Sequence, residues 1–98
     1  MNKQTKINNE VGINDFLFAI YDNVANHYEP PFVERNKGTA IRKIQDLIQN
    51  NPNSPYSKFP DNFTLTHIGY YDPSCGAILD LEPELVISFM DLTNDIKE

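Results

Sequence analysis

The stretch of sequence that decides the fold is FLFAIYDNVANHYEPPF, residues 16–32. Residues 16–21 are apolar at almost every position, so both faces of an extended strand would be apolar. Such a strand is typical of the centre of a sheet that is covered on both sides. After a short polar connection, residues 27–33 predict a returning strand, in which Pro30 and Pro31 each remove a backbone donor. We therefore expect this second strand to lie at an edge of the sheet, or to leave the sheet at the prolines.

A helix with clear start and stop signals follows directly. Its apolar residues recur at helical spacing, at Ala40, Ile41, Ile44, Leu47 and Ile48. Asn36 is a candidate N-cap, and Pro52 ends the helix because a residue before proline disfavours the helical region. A long loop over residues 50–62 comes next, and Tyr56 and Phe59 could provide its packing.

The second half of the chain predicts further strands. Residues 63–71 read as a third strand, and residues 72–76, with an early proline and a late glycine, predict a turn. Residues 77–81 continue as the return arm until the Glu82-Pro83 pair breaks it. Residues 85–92 alternate in a way that predicts the last strand.

This order of elements, strand–strand–helix–strand–strand, predicts an α+β fold. The simplest architecture is an antiparallel sheet of four to five strands with one helix packed on one face. We expect a single α+β domain at residues 15–93, a flexible polar tail at residues 1–14 and an acidic end at residues 94–98. Because one helix cannot cover both faces of a sheet whose first strand is apolar on both, we also expect a homodimer.

Composition and charge narrow the class of protein. The 98 residues suffice for one modest core. The formal charge of the chain is −6. Residues 1–71 carry seven acids and seven bases, so their charges cancel. The net charge therefore comes from residues 72–98, which contain seven acids and one base, Lys97. The single Cys75 suits a reducing compartment, and the polar start lacks the apolar centre of a secretion signal. No apolar run approaches the length of a membrane span, so a cytoplasmic protein without membrane contact is expected.

No set of side chains predicts catalysis or a cofactor. Cys75 and His67 have no third group at a recognisable spacing that would orient a thiol–imidazole pair. His27 and His67 are isolated histidines and give only a weak metal signal. The glycines are scattered and form no phosphate-binding loop. We therefore expect a protein that is not an enzyme and that holds neither a metal nor a cofactor.

Basic and aromatic side chains give one candidate nucleic-acid site. Bases of single-stranded DNA stack on aromatic side chains at about 1–3 kcal/mol each where a basic groove follows the backbone. The candidate residues are Arg35, Lys37, Arg42, Lys43, Lys58, Tyr21, Tyr28 and Tyr71. Two plainer interpretations stay open: the basic residues form a solvated helix start, and the tyrosines belong to the core or to a dimer interface. The negative total charge also opposes strong non-specific binding.

The same residues, taken in order, resemble a known family. The resemblance is to the small nonstructural protein of gokushoviruses, single-stranded DNA phages of the microvirus group. Its first part comprises Ala19-Ile20-Tyr21-Asp22, Tyr28, Pro30-Pro31-Phe32, Arg35-Asn36 and Ala40-Ile41-Arg42. Its second part comprises Asn51-Pro52, Ser57-Lys58, Pro60-Asp61, Phe63, Leu65, His67-Ile68-Gly69 and Tyr71-Asp72. The match covers residues 16–80 in consistent order, and the extension at residues 1–14 is longer than the usual start of the family.

The resemblance implies a phage protein of the host bacterial cytoplasm that is absent from the mature virion. It implies a role in single-stranded DNA synthesis or genome packaging, with possible contact to single-stranded DNA, and it brings no catalytic residues. One hypothesis is a DNA-associated factor whose basic residues share a face with exposed tyrosines. The alternative is a non-enzymatic dimeric module that docks on a viral or host replication protein or on a procapsid protein without binding DNA. That alternative predicts an exposed apolar patch.

Overall fold

The computed structural model of the chain describes residues 15–97. The tail predicted at residues 1–14 lies outside the described residues, as does Glu98 of the acidic end. The described strands are β1 (Asp15–Asp22), β2 (His27–Tyr28), β3 (Phe32–Glu34), β4 (Phe63–Asp72) and β5 (Ala77–Ser88). The described helices are α1 (Lys37–Asn50), α2 (Pro55–Lys58), α3 (Phe89–Lys97) and a 3₁₀ turn at Pro60–Asn62. None of these helices is long and apolar enough to cross a membrane.

The strands form one antiparallel sheet in the order β2–β1–β4–β5, curled into a half-barrel, with β3 also paired to β1. This confirms the predicted α+β fold with an antiparallel sheet and a helix packed against it. The predicted second strand is split into β2 and β3, which pair with opposite ends of β1 along the same edge. Pro30 and Pro31 occupy the gap between them, because neither can donate to the sheet.

Helix α1 forms where its apolar stripe and its cap predict it. The side chain of Asn36 accepts a hydrogen bond from the Thr39 backbone at 2.9 Å, and the Thr39 hydroxyl accepts one from the Asn36 backbone at 3.3 Å. This reciprocal capping box satisfies donors at the helix start. Ala40, Ile44 and Ile48 are buried in the core together with Phe18 and Ile20 of β1, so α1 covers one face of the sheet.

The loop predicted at residues 50–62 contains α2 and the 3₁₀ turn. Tyr56 packs into the core, edge-on to Phe63 at 4.8 Å between ring centroids and 5.6 Å from the ring of Phe89. The packing predicted for Tyr56 is therefore confirmed, whereas Phe59 is more than half exposed and the packing predicted for it was wrong.

The last predicted strand is the main correction to the sequence analysis. Strand β5 is one strand from Ala77 to Ser88, although its pairing with β4 shifts register between Asp80 and Glu84, where Pro83 lies; residues from Phe89 onward form helix α3 rather than a strand. Pro83 is tolerated because β5 is an edge strand that pairs only with β4 among the described strands. Phe89 and Leu92 are both buried, and a spacing of three residues places them on one face only in a helix. Helix α3 thus joins α1 on the covered face of the sheet, where one helix was expected.

Candidate functional site

Four of the predicted basic residues are close together in the chain, around the start of α1. Arg35 follows β3, Lys37 is the first residue of the helix, and Arg42 and Lys43 lie in its second turn. All four side chains belong to exposed residues. We call Arg35, Lys37, Arg42 and Lys43 the helix-start surface. It is the part of the predicted site that one helix start carries, with Lys37 beside β5 and Lys43 beside β3, at opposite edges of the sheet.

Acidic neighbours partly neutralise this surface. The Lys37 ammonium lies 3.8 Å from Oε1 of Glu84, and the Lys43 ammonium lies 3.8 Å from Oε2 of Glu34. Lys43 also lies over the ring of Phe32, at 5.2 Å from its centroid. Exposed ion pairs of this kind contribute about 0–1 kcal/mol, so a stronger anion can compete for both ammonium groups.

The two arginines of the helix-start surface are less engaged. Within residues 15–97 the structure pairs neither Arg35 nor Arg42 with a carboxylate. Both guanidinium groups are therefore available to a phosphate or a carboxylate from outside the chain.

Lys58 does not belong to the helix-start surface. It ends α2, and the neighbouring Ser57 hydroxyl donates to the carbonyl oxygen of Ile48 at 2.7 Å. Ile48 lies in the last turn of α1, a 14-residue helix. At a rise of about 1.5 Å per residue, this places Lys58 beyond the far end of a helix roughly 20 Å long.

The three predicted tyrosines lie on the other face of the sheet. Tyr21 is opposite Tyr28 in the register of β1 and β2, and the two rings are 4.7 Å apart. Since Phe18 and Ile20 point into the core, the alternation of β1 directs Tyr21 to the opposite face. Tyr71 pairs with Asp15 and therefore shares the face of Tyr21.

We call this second face the open face, and the strand registers assign its residues to four transverse rows. The first row contains Asp15, Tyr71 and Ile78, and the second contains Val33, Leu17, Gly69 and Asp80. The third row contains Ala19, Thr66 and Leu85, and the fourth contains Tyr28, Tyr21, Thr64 and Ser88. Among the strand residues that the structure describes, the registers place no lysine or arginine on this face. The structure therefore separates the tyrosines from the basic residues of α1 and does not assemble the predicted groove.

His67 is buried on the covered side of the sheet, and its Nδ1 lies 3.8 Å from Oε1 of Glu84, the carboxylate that pairs with Lys37. Its ring lies 4.9 Å from that of Phe16 and 5.0 Å from that of Tyr70. Burial lowers the pKa of His67, so its neutral form is favoured. Cys75 is exposed in the turn before β5, while His67 is only 2% exposed, so the two form no accessible thiol–imidazole pair. Within the described residues, no three His, Cys, Asp or Glu side chains are grouped to hold a metal.

The sequence analysis missed the contribution of β5 to both surfaces. Ile78 and Leu85 are exposed members of the open face, and Glu84 is an ion-pair neighbour of Lys37. The apolar residues of β5 had been divided between two strands. Alternation over residues 77–88 would still have placed Ile78 and Leu85 on opposite faces, because only the shift in register between β4 and β5 brings them to the same face.

One comparison with known proteins gives a match. A family profile described as Phage ORF5 protein matches residues 15–92, which is most of the chain and nearly all of the described part. No curated protein matches the chain. No solved structure matches it either.

Proposed function

The chain belongs to the Phage ORF5 protein family, and we propose that it is a nonstructural protein acting in the replication or packaging of a single-stranded DNA phage genome. The family match supports a phage protein. The ordered residues that resemble the gokushovirus protein, from Ala19 to Asp72, support the narrower assignment. In this proposal the protein acts by binding, in the cytoplasm of the bacterial host, and not as an enzyme.

The molecular activity we propose is contact between the helix-start surface and the phosphates of single-stranded DNA. The observation that carries it is the grouping of four exposed basic residues around the first turns of α1. Phosphate contacts are charge-assisted and independent of sequence, and they weaken as salt rises. Because Glu34 and Glu84 lie beside this surface, we expect weak binding, in the micromolar range.

The separation of the two faces determines what kind of DNA contact this would be. A strand that follows the helix-start surface cannot also stack its bases on Tyr21, Tyr28 or Tyr71, which belong to the open face. Recognition would therefore depend on the backbone, with little preference for base sequence. Four phosphate contacts to single-stranded DNA give a slope of log affinity against log salt of about −2.8.

Fluorescence anisotropy of a labelled single-stranded oligonucleotide, titrated at several salt concentrations, tests this proposal. The Arg35→Ala, Arg42→Ala double variant removes two contacts and should bring the slope to about −1.4. Lys58→Ala is the matched control, because it removes one exposed positive charge at the far end of α1. No binding at low salt, or an equal loss in the Lys58 variant, would contradict contact at the helix-start surface.

A second candidate is the dimeric interaction module that docks on a replication or procapsid protein without binding DNA. Two observations favour it: the open face exposes large apolar side chains at both of its edges, and the chain carries a net charge of −6. An acidic protein is better suited to a basic protein partner than to a phosphate backbone. Capture of the protein from phage-infected cells, with and without nuclease, separates the candidates. A viral partner that survives nuclease supports docking, and one lost on nuclease treatment supports DNA contact.

A further inference from the structure

The open face exposes large apolar side chains at both of its edges. At one edge Tyr28 is 44% exposed and Val33 is 38% exposed. At the other edge, on β5, Ile78 is 64% exposed and Leu85 is 63% exposed. The buried residues of α1 and α3 belong to the core on the opposite side of the sheet. Large apolar side chains exposed at both edges of one face of a small domain indicate a contact surface.

From this arrangement we infer that the open face is the interface between two copies of this chain, packed sheet on sheet about a two-fold axis. Two antiparallel sheets that pack face to face lie about 10 Å apart and interdigitate their side chains. A two-fold interface uses the same patch on both copies, so the open face of one copy can be covered by the open face of the other. The inference does not depend on whether the helix-start surface binds DNA.

The dimensions of the open face are compatible with a second copy of the chain as its partner. Four strand positions at about 4.8 Å give a width of roughly 19 Å, and four rows of alternate residues give a length of roughly 27 Å. Because the sheet is curled into a half-barrel, each copy would then bury at most about 500 Å², and the pair at most about 1,000 Å². That value is at the lower limit for a specific protein–protein interface. The dimer should therefore form at micromolar concentrations and dissociate on dilution.

The charged residues of the open face also allow it to pack against a second copy of the chain. The registers place two acids on it, Asp15 in the first row and Asp80 in the second. A two-fold axis across the strands brings the first row over the fourth, so Asp15 meets the tyrosine row of the other copy. An axis along the strands brings Asp15 over Tyr71 and Asp80 over Val33. By alternation from Asp80 the exposed Glu82 also lies on this face, between the second and third rows, so an axis across the strands would bring it over Glu82 of the other copy. The axis along the strands avoids this meeting of like charges, and there the Tyr71 hydroxyl can donate to the Asp15 carboxylate.

The centre of the face is suited to exclusion of water. Ala19 and Thr66 are buried there, and the Thr66 hydroxyl donates to the carbonyl oxygen of Ala19 at 2.6 Å. This bond satisfies the hydroxyl within the chain, so a covering sheet leaves no unpaired donor at that point. In the resulting dimer, α1 and α3 lie on the two outer sides, and both helix-start surfaces remain accessible.

Sedimentation equilibrium of the full chain over a range of protein concentrations tests the inference. The mass should rise with concentration from 11.3 kDa toward twice that value. Leu85→Asp places a carboxylate inside the interface and should raise the dissociation constant at least tenfold, and Ile78→Asp should act in the same direction. Because both side chains are exposed in the single chain, the variants should keep the far-ultraviolet circular dichroism of the parent.

Phe59→Asp is the matched control, since it places the same charge at an exposed aromatic residue outside the four rows of the open face. This variant should keep the parent's dissociation constant. A chain that stays at 11.3 kDa at every concentration overturns the inference. So does a dimer that Leu85→Asp and Ile78→Asp leave intact, or one that Phe59→Asp weakens equally. A monomer that dimerises only after residues 1–14 are removed would assign the face to that segment instead.

Discussion

His67 donates a hydrogen bond from Nε2 to the carbonyl oxygen of Gly69, at 2.9 Å, two residues further along β4. A carbonyl oxygen can only accept, so the bond places the proton of the neutral ring on Nε2. The other ring nitrogen, Nδ1, is buried and has no hydrogen-bond partner among the described residues. The pairing of β4 with both neighbouring strands shifts register at this point, so the hydrogen bond of His67 spans the irregular part of β4.

The protein should lose stability as pH falls below about 6.5, the ordinary pKa of histidine. Burial, the first cause, lowers the pKa of His67 in the folded state, as does Lys37, while the Gly69 hydrogen bond and Glu84 raise it. The unfolded chain therefore takes up a proton before the folded chain does, and acidification favours unfolding.

Urea unfolding at about pH 7.5 and about pH 5.5, on either side of the ordinary histidine pKa, measures this loss. His67→Gln should be less stable at the higher pH and should show a smaller difference between the two. His27→Gln removes the exposed histidine of β2 and should keep the parent's difference. An unchanged pH dependence in His67→Gln would rule out His67 as its source.

Gly69→Ala should lower the free energy of unfolding by about 1–3 kcal/mol, as overpacking does. A Cβ at this position would lie 2.5 Å from the backbone carbonyl oxygen of Leu79 on β5, so the two strands must separate. Chemical denaturation gives the value. Gly76→Ala serves as the comparison. A Cβ at this turn position would meet no atom within 4 Å, but the residue has a φ of +78°. The expected loss in the free energy of unfolding is therefore about 1–2 kcal/mol, from backbone strain. A neutral Gly69→Ala would contradict the close approach of β4 and β5.

Leu92→Ala should lower the free energy of unfolding by about 2–5 kcal/mol, because a helical residue 92 is buried with Phe89 on one side of α3. Asp91→Ala, at an exposed position of the same helix, should change it by less than about 0.5 kcal/mol. Thermal or urea unfolding of the two variants distinguishes this helix from the strand that the alternation predicts. In a strand, residues 89 and 92 would point to opposite faces, and both could not enter the same core.

Asn36→Ala should lower the free energy of unfolding by about 1 kcal/mol. The change removes the side-chain acceptor for the Thr39 backbone donor at the start of α1. Asn36→Asp should keep most of the stability, because a carboxylate accepts the same bond and interacts favourably with the helix dipole. No loss in Asn36→Ala would show that the cap contributes nothing. The same pair also tests whether an ordered helix start is needed for any binding by Arg35 and Lys37.

Only part of the candidate site could be predicted from the sequence. The grouping of Arg35, Lys37, Arg42 and Lys43 could be predicted, because these residues are close in the chain and one helix start gathers them. The position of the tyrosines relative to that group could not. It depends on which face of the sheet α1 covers, and β1 is apolar on both faces, so its own alternation favours neither.

The sequence by itself determined the local elements whose signals lie within a few residues: the apolar strand β1, the capped helix α1 and the edge position of the proline-containing return strand. Tertiary structure alone decided the rest. Residues 89–97 became a helix because Phe89 and Leu92 can both reach the core only at helical spacing. The helices gathered on one face, and this left Tyr21, Tyr71 and Leu85 together on the other. Where local propensity and hydrophobic pattern agree, they determine the secondary structure of a segment. Where they conflict, its secondary structure is determined by burial against residues that are distant in the chain.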